Sequence, residues 1–119
     1  MTDVPTPEDF HRARSWGNER LRQATPVAES LFALDSAAYA SGALPAGTKE
    51  LLGLVVSVVK DCEECVYYHL ERCEQEQMPR EQVLETLLVA LVGAGSVAVP
   101  LLRRAIAFMD QLPGLAAPS

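Results

Sequence analysis

Proline and glycine punctuate this chain at intervals that suit helices and little else. Thr6-Pro7 and Thr25-Pro26 each place a hydroxyl residue before a proline, the pairing that caps a helix and opens its first turn. Helices are therefore expected from Pro7 to about Gln23 and from Pro26 to about Ser41. Gly42-Ala43-Leu44-Pro45 breaks the chain and restarts it. The run from Lys49 to Lys60 then carries Leu and Val on nearly every helical face, which places that helix at the centre of the fold. Asp61 with Glu64 three residues later has the form of a capping box and predicts a helix through about Glu76. Met78-Pro79-Arg80-Glu81 opens another, with Val83, Leu84, Leu87, Leu88 and Leu91 at helical spacing. Gly93-Ala94-Gly95 interrupts the chain, a last helix reaches about Gln111, and Pro113-Gly114 ends order. Val55, Val56, Val58 and Val59 would also suit a strand, a choice that periodicity alone does not make; the flanking helical signals favour helix. The expectation is an all-α bundle.

At 119 residues, 49% of them hydrophobic, the chain can bury one core but has no room for two. A single domain spanning 1–119 is expected, with its core at about 44–110 and disordered tails at 1–6 and 113–119. Ten Lys+Arg against sixteen Asp+Glu give a net charge of -6, with no basic cluster longer than Arg103-Arg104, so a nucleic-acid partner is not expected. The acidic, Pro-rich N-terminus lacks the basic and apolar regions of a secretory signal, which implies a cytoplasmic protein. The uncharged stretch 87–102 is too short for a bilayer span and is interrupted by Gly93, Gly95 and Pro100, so it is read as buried, not as a membrane segment. That much apolar surface in so small a chain points to a homo-oligomer interface.

The chemistry concentrates in the twenty residues from Glu50 to His69, which include Cys62-Glu63-Glu64-Cys65. Two thiols separated by two residues can close a disulfide across one turn, and in a reducing compartment such a pair is more often catalytic or metal-binding than structural. Glu63 and Glu64 raise the thiol pKa unless a cation intervenes, whereas a helix N-terminus lowers it, so the net direction stays open. Cys65 and His69 are four apart and share a helix face. If the helices on either side of residues 60–62 fold back as an antiparallel hairpin, Glu50 and His69 lie within about one turn of each other along the axis, at roughly 1.5 Å per residue. A relay of Glu50, His69 and Cys65, with Cys62 as second thiol, follows from that pairing. The plainer alternative is a pair of small core cysteines beside an unrelated histidine and a surface glutamate. A zinc site using Cys62, Cys65, His69 and Cys73 is opposed by geometry, since Cys65 and Cys73 are roughly 12 Å apart along one helix; zinc on the first three alone stays open. Haem attachment is excluded because Val66 follows Cys65. Cys73 is read as an apolar filler, His11 as a residue with no partner suggested by spacing, and Trp16, Tyr67 and Tyr68 as packing residues, the tyrosines also as candidates for a pocket mouth.

Glu50, eleven residues, Cys62-x-x-Cys65, three residues and His69 together resemble the signature of the carboxymuconolactone decarboxylase superfamily, in its AhpD-like alkylhydroperoxidase branch. The similarity extends from about Leu44 to Ile106. It includes Leu44-Pro45 with Lys49-Glu50-Leu51, Arg80-Glu81-Gln82-Val83-Leu84-Glu85, and the turn from Gly93 to Val97. The resemblance implies an all-helical fold assembled as a homo-oligomer, trimer or hexamer, and peroxidase chemistry without a cofactor or metal. Cys65 would attack the peroxide, Cys62 would close the disulfide, and Glu50 with His69 would manage protons. A dithiol reductant, a lipoyl-protein or a thioredoxin-like one, would then restore the pair. Peroxidase members are similar here but carry His directly before the second cysteine, where this chain has Glu64. A small residue, usually Gly, is also expected about eight positions after the motif His, where this chain has Gln77. The lactone decarboxylases resemble the chain in fold without the thiol pair. The alternatives are a non-catalytic binding module with inert or metal-holding thiols, and a decarboxylase or isomerase using Glu50 and His69.

Overall fold

In the computed structural model, which describes residues 4–118, the chain is helical, and no strand occurs among the described residues. Helices α1 (Pro7–Ala24), α2 (Val27–Tyr39), α3 (Ala46–Val59), α4 (Glu63–Gln75), α5 (Arg80–Ala94) and α6 (Val99–Met109) follow in order, with a 3₁₀ turn at Ser96–Ala98 before the last. Helix α3 packs against α4 on one side and α5 on the other, as the apolar composition of the 49–60 run demands. Leu54, Val58, Val66, Leu70, Val83, Leu101, Phe108 and Met109 form the core. Helix α1 is amphipathic and docks through Phe10, whose ring meets Tyr67 and Phe108 edge-on at 5.5 and 5.7 Å. Tyr67 in turn stacks on Phe108 at 4.5 Å. Such contacts add to the burial of about 150–250 Å² per aromatic ring.

Local chemistry explains most helix ends and corrects several expectations. Thr6 caps α1, its hydroxyl accepting from the Asp9 N–H at 3.2 Å, as expected. Thr25 does not open α2: it is the C-cap of α1, its N–H donating to Leu21 O at 3.0 Å, and Pro26 takes the N-cap position of α2 in helical geometry without a side-chain hydrogen bond. The helix after residue 60 is not opened by Asp61. That residue sits at φ 55° and ends α3, where the Cys62 N–H returns to Ser57 O and the Asp61 N–H to Val58 O, both at 3.0 Å. This is the paired closure in which a left-handed residue satisfies the last carbonyls of a helix, a conformation Asp tolerates better than most. Gln77 repeats it at φ 59°, with Met78 N–H on Cys73 O and Gln77 N–H on Glu74 O. The turn expected to need a small residue therefore forms with Gln77 itself in the left-handed region.

Order does not end at Pro113. Leu115 is buried in the core, its carbonyl accepts from Arg80 at 2.6 Å, and the Gly114 N–H donates to Glu74 at 2.7 Å. At the other end Pro5 O accepts from Gln111, and Val4 packs on the core. The expectation of disordered tails is thus corrected at both ends; its remaining part, residues 1–3 and 119, lies outside the described residues. Trp16 is not a packing residue within this chain, being 67% exposed. The 87–102 stretch is only half buried: Leu87, Ala90, Ala98 and Leu101 turn inward, while Leu88, Val89, Val92 and Val97 are exposed. No helix among the described residues is long and apolar enough to cross a membrane.

Candidate functional site

The left-handed closure at Asp61 sets the site, because it delivers Cys62 directly to the N-cap of α4. The Cys62 sulfur accepts from the Cys65 N–H at 3.3 Å, and the two cysteines are joined as a disulfide with Cα atoms 5.2 Å apart. The group beside the free N–H donors of the helix is thus the Cys62 sulfur itself, one position earlier than an Asp61 cap would place it. Cys65 is exposed and Cys62 half-buried. Of the two neighbouring carboxylates, Glu63 is paired with Arg104 of α6, the cation that offsets its effect on the thiols. Glu64 is exposed and carries no such partner among the described residues.

Helix α4 returns along α3 and brings His69 to Glu50. His69 Nδ1 lies 2.8 Å from Glu50 Oε1, and the Glu50 side chain is 2% exposed. A carboxylate this deeply buried requires partners, and Arg72 supplies a second with its Nε 3.6 Å from Oε2. Arg72 sits one turn beyond His69 and also pairs with Glu76 at 3.4 Å. With Nδ1 turned to the carboxylate, Nε2 is the nitrogen left to accept a proton. Cys65 and His69 line one cleft of 330 Å³ with Glu64, Tyr68, Phe32 and Arg14.

Two residues of the site carry no signal in the sequence. Tyr39, at the end of α2, lies against the imidazole with ring centroids 5.2 Å apart and planes at 32°, and Tyr68 meets His69 edge-on at 5.2 Å. Burial, then the charge of Glu50, pushes the Tyr39 phenol above its usual range. Burial likewise raises Tyr68, opposed by Arg14, whose guanidinium lies 3.8 Å over its ring. Gly53 is the second. A Cβ there would fall 2.5 Å from the Tyr39 hydroxyl and 2.6 Å from His69 Cε1, so the imidazole occupies space that any other residue would fill. Arg72 was missed as well, and there the i+3 spacing from His69 was the available clue.

Cys73 is fully buried, its thiol pushed up to about 12 by burial and then by Glu50, which fits the filler expected of it. His11 finds a partner across helices, where spacing suggests none: its Nδ1 lies 4.0 Å from Glu71.

The helical architecture together with this arrangement defines a class. Residues 25–110 match the Carboxymuconolactone decarboxylase family, and the chain belongs to it. Among its relatives, a crystal structure from Thermotoga maritima superposes with a TM-score of 0.83 at 45% identity, covering 87% of this chain and 89% of that one. That protein is described as a carboxymuconolactone decarboxylase family member with a suggested part in the antioxidative response. The apo form of a family member from Legionella pneumophila superposes with a TM-score of 0.81 at 26% identity, over 89% of this chain and 96% of that one. An uncharacterized protein of Cupriavidus necator is 34% identical across 77% of this chain and 82% of its own length. An uncharacterized protein encoded in the cox locus of Paracoccus denitrificans is 27% identical over 96% of this chain and 99% of its own.

Proposed function

We propose that this protein is an AhpD-like thiol-disulfide oxidoreductase that reduces hydroperoxides. The observation that carries this reading is an exposed Cys65, disulfide-linked to Cys62, sharing a cleft with a histidine whose Nδ1 is held 2.8 Å from a buried carboxylate. In the reduced protein His69 Nε2 takes the Cys65 proton. The Cys65 sulfur attacks the distal peroxide oxygen, the O–O bond breaks, and the alkoxide leaves as alcohol with a proton returned from the relay. The Cys62 thiolate attacks the sulfenic sulfur, closing the disulfide, and the hydroxide leaves as water with a second proton. One thiol of a dithiol, lipoyl-bearing or thioredoxin-like, then attacks the exposed Cys65 sulfur, and its second thiol displaces Cys65 as the donor leaves in its disulfide form. Cys62 is the leaving thiolate of the first attack, favoured by the Cys65 N–H and the N-terminus of α4.

The exposed Leu88, Val89 and Val92 of α5, with Leu52 and Val56 of α3, support assembly as a homo-oligomer, trimer or hexamer. One observation favours a second reading, a non-catalytic module of the same fold: a carboxylate, Glu64, stands beside Cys65 where peroxidase relatives carry an imidazole. Steady-state hydroperoxide consumption with dihydrolipoamide as donor separates the two. Turnover that disappears in Cys65→Ser supports the enzyme; undiminished turnover in Cys65→Ser, or none in the wild type, removes it.

A further inference from the structure

Glu50 and His69 share a hydrogen bond, yet they face different openings. His69 and Cys65 line the 330 Å³ cleft bounded by α1, α2 and α4. Glu50 is absent from that cleft. Glu50 instead lines a second opening, of 350 Å³, with Ser36, Tyr39, Ala46, Tyr68 and Arg72. Asp35 and Tyr68 border both, and the rings of Tyr39 and Tyr68 each meet the imidazole with centroids 5.2 Å away. The second opening is held in shape by Lys49, whose ammonium donates to Ala38 O at 2.9 Å and Ala40 O at 2.6 Å, tying the end of α2 to the start of α3.

We propose that the Glu50-His69 pair exchanges protons with solvent through this second opening, so that the relay stays connected to water while a substrate fills the cleft at Cys65. The proposal rests on the peroxidase reading. When Nε2 takes the Cys65 proton the pair releases its Nδ1 proton to solvent, so a proton must re-enter at Nδ1 when the alkoxide takes the Nε2 proton, and a bulky substrate blocks the direct path from solvent. The Nδ1 proton, held against Glu50 Oε1, passes to the carboxylate and leaves from its Oε2 side, where Arg72 Nε lies at 3.6 Å and the opening is lined by Tyr39 and Asp35. The same path run backwards restores the Nδ1 proton as the alkoxide takes the one on Nε2, so each turnover balances.

The test narrows this opening from two elements, with Ala46→Leu at the start of α3 and Ser36→Leu on the exposed side of α2. Single-turnover oxidation of the reduced protein is followed with hydrogen peroxide and with cumene hydroperoxide, whose aryl group occupies the cleft beside Cys65. The expected result for both variants is a loss of about tenfold or more with cumene hydroperoxide, at the scale of a disabled proton transfer, and a rate within about twofold of wild type with hydrogen peroxide. Equal slowing with both peroxides, or unchanged rates with both, overturns the proposal while leaving the peroxidase reading intact. A wild-type protein that consumes neither peroxide removes both.

Discussion

Gly53→Ala separates helix stability from site geometry. Within α3 the substitution improves backbone propensity, about 0.5–1 kcal/mol in favour of Ala. The added Cβ would nevertheless sit 2.5 Å from the Tyr39 hydroxyl and 2.6 and 2.8 Å from His69 Cε1 and Nε2. Carbon contacts relax near 3.5–4.0 Å, so one or both rings must retreat by about 1 Å. Overpacking of that kind costs about 1–3 kcal/mol. If the imidazole yields, the charged hydrogen bond to Glu50 weakens as well, at about 1.5–3 kcal/mol for its full loss. Overpacking net of propensity destabilises by about 0–2.5 kcal/mol, rising to about 1.5–5.5 kcal/mol if the Glu50 hydrogen bond is lost in full, at about 4 °C in Tm per kcal/mol for a domain of this size. A displacement of about 1 Å also costs on the order of 100-fold in single-turnover peroxide reduction. Gly17→Ala is the matched control: Gly17 lies within α1 with nothing within 4 Å of the added Cβ, so only the propensity gain applies. Thermal unfolding and stopped-flow thiol oxidation measure both quantities. Wild-type activity with an unchanged or raised Tm in Gly53→Ala would show that His69 and Tyr39 do not depend on that vacancy.

Further outcomes follow from the packing and the charges. Phe10→Ala removes the one ring that seats α1 on Tyr67 and Phe108, and is expected to cost about 3–5 kcal/mol in chemical denaturation and to expose α1 to proteolysis. Gln77→Gly replaces a side chain held at φ 59° and is expected to stabilise by about 1 kcal/mol; a lower denaturation midpoint would contradict the left-handed closure. Glu71 has its pKa raised above 4.5 by burial, opposed by His11 and Arg14. A raised folded-state value means that its stabilising contribution is full below 4.5 and lost as pH rises through the folded value. Glu71→Gln should therefore raise Tm at pH 7, with the difference shrinking toward pH 4; a constant difference across that range refutes the cause.

The helical class and the meeting of Glu50 with His69 were legible because both rest on one-dimensional rules. Prolines and glycines mark where helices start and stop, and an axial rise per residue places two side chains level across a short connection. Asp61 shows where such rules fail. An Asp three residues before a Glu satisfies the capping pattern, but the same residue type also tolerates the left-handed conformation that closes the preceding helix, and with a connection this short only one role can be filled. Gly53 and Tyr39 were invisible because their meaning is a shared volume between α2, α3 and α4, which no periodicity encodes. Leu115 was missed because Pro113-Gly114 reads as a terminator, whereas Arg80 and Glu74, more than thirty residues earlier, hold the segment down.

The claim that Cys62, Cys65, His69 and Glu50 form one peroxide-reducing site is tested most directly by thiol titration. Fully reduced protein is mixed with one equivalent of hydroperoxide. The account predicts rapid loss of two of the three thiols with one peroxide consumed per chain, a Cys62-Cys65 disulfide by peptide mapping, and Cys73 left reduced. Retention of all three thiols, or oxidation centred on Cys73, would contradict it.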